Sequence, residues 1–143
     1  MNIRFRRVHK DATIPAYKTP GAVAFDLAIV EDVSIEPRSF IMARTGLVIE
    51  VPEGHALILA SRSSNPGKKG IDLANSIGVI DQDYSGPKDE IHLLLENITD
   101  ETVTLSAGDR VSQGMIIPVI RPTFEEADEL ALESRGGFGT TGA

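Results

Sequence analysis

Residues 91–97 read IHLLLEN, and the alternation inside this stretch decides the fold. On a strand, Ile91, Leu93 and Leu95 share one face, while His92, Leu94 and Glu96 share the other. Working outward, HALILAS (55–61), TVTLS (102–106) and SQGMIIPVI (112–120) are further apolar runs of strand length. Between the runs stand PEG, NPG, SGP, NITD and AGD. Each turns the chain for a reason: proline fixes φ, glycine frees it, and Asn and Asp bond their own backbone. Many short strands at close spacing predict an all-β domain of sandwich, jelly-roll or small-barrel type. No long stretch carries a helical period. TFEEADELALES (123–134) is acidic and weakly apolar, and reads as a linker. The expected plan is a β domain over residues 1–122 and a linker with a C-terminal arm over 123–143.

The 143 residues suit one domain with a core that needs no staples. With no cysteine, the chain has no disulfide, thiolate metal site or thiol nucleophile, which fits a reducing compartment. No run approaches the roughly 18 apolar residues that a membrane span needs. MNIRFRRVHK is basic but lacks an apolar stretch behind it, so it does not read as a signal peptide. The expectation is a soluble protein of the cytoplasm. A net charge of −7 argues against direct nucleic-acid binding through a broad basic surface. Placed arginines and a divalent cation can still hold a polyphosphate on an acidic protein.

Several local motifs carry chemistry, and each has a bland counterpart. RGGFGTTG (135–142) has the spacing of a dinucleotide fingerprint, but one residue follows it and no helix can receive a pyrophosphate. Alone it reads as a frayed terminus, although its arginine can fork onto phosphate and its phenylalanine can stack on a base. SRSSNPGKKG (61–70) fails the P-loop pattern, since Arg62 stands where the first glycine belongs and Lys69 where a hydroxyl belongs. What survives is an arginine, two hydroxyls and two lysines in one turn, fit for phosphate oxygens and equally for a solvated loop. DQDYSG (81–86) opens like a calcium loop, yet position twelve is His92 rather than a bidentate glutamate. It reads better as a hairpin that carries a carboxylate and a tyrosine out of NSIGVI. A carboxylate there can orient and deprotonate water, and the ring offers a flat face to a sugar. A plain Asp-rich turn is the ordinary alternative. No nucleophile elbow or zinc helix is present, and the three histidines are far apart in sequence.

In order, GAVAFDL (21–27), SRSSNPGKKG, NSIGVIDQDYSG (75–86), GDRVSQ (108–113) and RGGFGTTG resemble the five motifs of the homotrimeric dUTPase family. The resemblance spans nearly the whole chain, and its third motif is highly specific. It implies a jelly-roll-like β domain, a homotrimer with shared active sites, and a C-terminal arm that closes a neighbouring subunit's site. It also implies Mg2+-dependent hydrolysis of dUTP to dUMP and pyrophosphate, which supplies dUMP and limits uracil in DNA. On the matching positions, Asp81 would activate water for attack on the α-phosphorus. Tyr84 would pack under the deoxyribose and leave no room for a 2′-hydroxyl. Asn75 and the backbone of Gly78, Val79 and Ile80 would form a hairpin that reads the uracil edge. Arg62, Ser63, Ser64 and Gln113 would contact phosphate, and Asp26 would reach the metal through water. Phe138 would stack on the base, with Arg135, Gly139 and Thr140 near phosphate.

The chain departs from the family pattern in four places. Arg135 abuts Gly136, two residues closer to the phenylalanine than is usual. Ser61 replaces a proline, Val23 and Phe25 are bulkier than usual, and PKD (87–89) reads as an insertion. The nearest rival is dCTP deaminase, or a bifunctional deaminase–dUTPase, which needs a glutamate on the strand after the third motif. With the insertion, Leu94 takes that place and Glu96 lies two residues on, on the same face. A non-catalytic regulatory protein on this fold is the other alternative, although the third motif keeps both Asp81 and Tyr84.

Overall fold

The computed structural model of the chain describes residues 1–129; Arg135, Phe138, Gly139 and Thr140 lie outside the described residues. It is a jelly-roll-like β fold of short antiparallel strands. In chain order these are β1 (Phe5–Arg7), β2 (Phe25–Ala28), β3 (Val33–Ile35), β4 (Phe40–Arg44), β5 (Leu47–Ile49) and β6 (His55–Ser61). A helical turn, Asn65–Lys69, precedes β7 (Ile71–Leu73), β8 (Ile77–Ile80), β9 (His92–Asn97), β10 (Val103–Leu105) and β11 (Arg110–Pro118). One sheet runs β2-β11-β6-β8 and a second runs β4-β9-β7; β1-β5 and β3-β10 form two ribbons.

The strong alternations of the sequence become the strands of the core. HALILAS is β6 residue for residue. Ile91, Leu93 and Leu95 are at most 1% exposed, and they share one core with Ile71 of the same sheet and with Leu27, Leu57 and Val111 of the larger sheet. Each such side chain contributes about 1.5–3 kcal/mol by leaving water. His92, Leu94 and Glu96 face outward and are half-buried, as the period requires. Residues 87–89 do not disturb this register, because they are absorbed into the loop before β9. There Asp89 Oδ2 accepts the Gly86 N–H at 2.6 Å, and Arg6 donates to the Pro87 carbonyl at 2.9 Å.

The bulky Phe25 is accommodated by its partner across the ladder. Phe25 lies opposite Gly114 on β11, where an added Cβ would sit 2.6 Å from the ring. The ring is 7% exposed and meets Tyr17 edge to face, with centroids 6.1 Å apart. After β11 the chain has no regular structure over residues 119–127, and Ile120 and Phe124 are almost wholly exposed.

Residues 71–80 carry two short strands that do not pair with each other. β7 pairs with β9 and β8 pairs with β6, so the two strands enter different sheets. Ser76, at φ 62°, makes the sharp turn between them. The segment is an open fork with a slot between its prongs, because each strand pairs within its own sheet and leaves its other edge free.

Candidate active site

Two groups of side chains assemble on the larger sheet. The first gathers where β2, β11 and the end of β6 meet. Gln113 on β11 stands between Asp26 on β2 and Ala60 on β6, and its side-chain amide donates to the Ser61 carbonyl at 2.9 Å. Asp26 is clamped by two arginines, with Oδ1 at 3.0 Å from Arg62 Nε and Oδ2 at 2.7 Å from Arg110 Nη1. Arg62 in turn donates to the Arg110 carbonyl at 3.1 Å. Two guanidiniums share one carboxylate, so the cluster keeps a net positive charge and further N–H donors, as an oxyanion ligand needs.

The helical turn holds Ser63 and Ser64 beside this cluster. Its anchor is Asn65, fully buried, whose Nδ2 donates to the Val111 carbonyl at 2.7 Å. Lys69 Nζ adds an ion pair to Asp109 at 2.9 Å, tying the SRSSNPGKKG turn to the GDRVSQ turn. Burial alone would raise the Asp109 carboxyl. The Lys69 ammonium and the Ser106 N–H outweigh it and hold Asp109 below the usual carboxylate range.

The second group surrounds β8. This strand ends its sheet, so one edge pairs with β6 and the other carries no ladder. The free edge lines a cavity of about 150 Å3 with Asn75, Gly78, Val79 and Ile80 on one side. Leu59, Leu73, His92, Leu93 and Leu94 complete the walls. A cavity of about that size can hold a single six-membered ring. Asp81 follows β8 directly and is exposed in a wider cleft of about 570 Å3, shared with His55, Gln82, Asp83 and Arg121. Gln82 pins the loop by donating to the His55 carbonyl at 3.1 Å. Tyr84 donates its hydroxyl to the Glu90 carbonyl at 3.1 Å, which leaves the ring 39% exposed.

Of the residues expected at the site, Asp26, Arg62 and Gln113 are brought together, with Ser63 and Ser64 next to them. Asn75, Gly78, Val79, Ile80, Asp81 and Tyr84 form the other group. The fold keeps Asp81 and Arg62 apart. Ile80 stands opposite Leu57, so Asp81 comes level with Ala56, six positions along β6 from Arg62. At about 3.3 Å per residue that is roughly 20 Å. Sequence reasoning missed Arg110 and His92. Arg110 had a signal, since it lies inside GDRVSQ, but its partner Asp26 is 84 residues away. A bulge between Arg110 and Ser112 re-aims the arginine toward β2. Among the described residues no three potential metal ligands cluster, and Asp26 has both oxygens occupied by arginines. No helix among them is long and apolar enough to cross a membrane.

A family model described as dUTPase covers residues 10–142. The deoxyuridine 5′-triphosphate nucleotidohydrolase of Hydrogenobaculum sp. is 40% identical over 145 residues, covering 99% of each chain. The crystal structure of dUTPase from Streptococcus mutans is 37% identical with a TM-score of 0.77, covering 84% of this chain and 98% of that one. A mutant dUTPase of Staphylococcus bacteriophage 80alpha with dUpNHpp superposes at a TM-score of 0.87 over 99% of both chains; at 20% identity this likeness concerns the fold alone. By family model, sequence and fold together, the chain belongs to the dUTPase family.

Proposed function

We propose that this chain hydrolyses dUTP to dUMP and pyrophosphate, with uracil in the slot beside β8. The observation that carries the reading is the unpaired edge of β8 lining a ring-sized cavity, with Asp81 following that strand directly in the chain and Tyr84 three residues on. Free backbone N–H and C=O groups on that edge match the donors and acceptors of uracil, and a wrong base leaves them unpaired in a buried site. Tyr84, tethered through its hydroxyl, presents its ring to the deoxyribose and excludes a 2′-hydroxyl. Asp81 orients a water and accepts its proton as the water oxygen bonds to the α-phosphorus. The bond from that phosphorus to the bridging oxygen breaks, and pyrophosphate leaves.

Phosphoryl transfer needs positioning and charge stabilisation more than covalent help. Arg62, Ser63, Ser64 and Gln113 provide donors for the phosphate oxygens. Their distance from Asp81 favours a site completed by a second copy of the chain, in keeping with a homotrimer. Arg135, Phe138, Gly139 and Thr140 then belong to an arm, over 123–143, that closes a neighbouring copy's site and excludes water. Mg2+ fits as a cation carried by the triphosphate: among the described residues the donor set offers no cage, and Asp26, with an arginine on each oxygen, would reach the cation only through a water on its remaining lone pairs. When bound, the cation offsets charge on the phosphates. The same reading places the protein in the cytoplasm, where dUTP arises.

The test is pyrophosphate release from dUTP, dCTP, dTTP and UTP with Mg2+ present. Turnover of dUTP alone is expected. Comparable turnover of UTP removes the role given to Tyr84, and ammonia released from dCTP establishes a deaminase. The cavity argues against that second outcome. Leu94 lines it and has no acid–base chemistry, while Glu96 is not among its lining residues.

A further inference from the structure

Glu90 touches none of the proposed substrate positions, yet both specificity elements converge on it. Its backbone carbonyl accepts the Tyr84 hydroxyl at 3.1 Å and lies 2.9 Å from His92 Nδ1, a contact that requires the proton on that nitrogen. Tyr84 is the proposed sugar platform, and His92 lines the ring-sized cavity. The Glu90 side chain is 11% exposed and reaches the Gly46 N–H in the corner between β4 and β5. There the Gly46 N–H donates to Oε1 at 2.8 Å, and Arg44 grips the carboxylate with Nη2 at 3.0 Å and Nε at 3.2 Å.

That corner cannot shift easily. Gly46 has φ 69°, and an added Cβ would meet Ala12, His9 and Val30 at 2.8 to 2.9 Å. The Ile91 N–H bonds the Leu47 carbonyl at 2.8 Å, and Thr45 Oγ1 bonds the Ile91 carbonyl at 2.7 Å. A buried carboxylate with three protein donors is a costly feature to carry for packing alone. Here it fixes the one carbonyl from which the tyrosine hangs.

Building on the dUTP reading, we propose that Glu90 is a positioning residue for sugar selection, held by Arg44 and Gly46 so that its carbonyl sets the height of the Tyr84 ring. Loosening the carboxylate lets the ring settle away from the sugar, and a ribose then fits where only a deoxyribose did. The selective loss falls on discrimination rather than on the chemical step.

The experiment measures kcat and KM for dUTP and UTP in wild type, Tyr84→Phe, Glu90→Gln and the double variant. The expected result is a fall of about tenfold in the dUTP-to-UTP ratio of kcat/KM for each single variant, carried mostly by KM. The double variant should fall no further, because both changes cut one tether. Arg44→Met should lower the ratio, and Arg44→Lys, which keeps the ion pair, should restore most of it. A ratio unchanged in Glu90→Gln, or losses that multiply in the double variant, overturns the proposal. If Glu90→Gln fails to fold, Arg44→Met against Arg44→Lys decides the matter by the same ratio. Failure of wild type to prefer dUTP would instead defeat the underlying reading.

Discussion

Asp26 and Glu90 are both carboxylates held by arginine, but their surroundings give them opposite uses. Asp26 shares its charge between Arg62 and Arg110 at the surface, leaving donors free for a ligand. Glu90 is sealed behind Arg44 and the Gly46 N–H. Burial pushes the Glu90 carboxyl up, and Arg44, Gly46 and nearby His92 together pull it below the ordinary glutamate value. A carboxyl depressed on folding adds stability that is complete above its unfolded value and is lost as pH falls through the folded one. Wild type should therefore exceed Glu90→Gln in Tm at neutral pH, and the gap should close below about pH 4. Melting curves from pH 3 to pH 7 check this; a gap that widens in acid contradicts it.

Elements were legible where their pattern was long enough to show a period. β6 and β9 could be read outright, since six or seven residues are enough to show which side chains share the core face: Leu57 and Leu59 on β6, Leu93 and Leu95 on β9. β1, β3, β5 and β7 have three residues each, too few for a period, and exist only because a partner strand meets them. The fork at β7 and β8 is illegible for the same reason: nothing local says which neighbour each strand will choose. Gly114 belongs to this scale too, because its meaning lies in the strand opposite. Gly114→Ala should cost about 1–3 kcal/mol by crowding the Phe25 ring. Phe25→Leu should recover part of that loss, as urea denaturation of the single and double variants can show.

At the scale of the whole molecule, β6 acts as a spacer between the phosphate-type donors at its end and Asp81 near its start. If each site takes Asp81 from one copy and Arg62 from another, Asp81→Asn and Arg62→Ala should each fall about 100-fold or more in turnover while staying folded. Unfolded together and refolded as a mixture, the two dead variants should regain roughly a quarter of wild-type turnover, because random assembly pairs one intact residue of each kind at that frequency. No recovery would place both residues in one chain's site. The sequence by itself determined the β class, the chemical inventory and the order of the motifs, because these follow from local periodicity and residue type. Tertiary structure alone decided that the third motif is a fork with a free edge, that Arg110 joins Asp26, and that Asp81 stands roughly 20 Å from Arg62. Those are matters of which distant strands pair, and pairing is settled by the burial of the whole core rather than by any one stretch of chain.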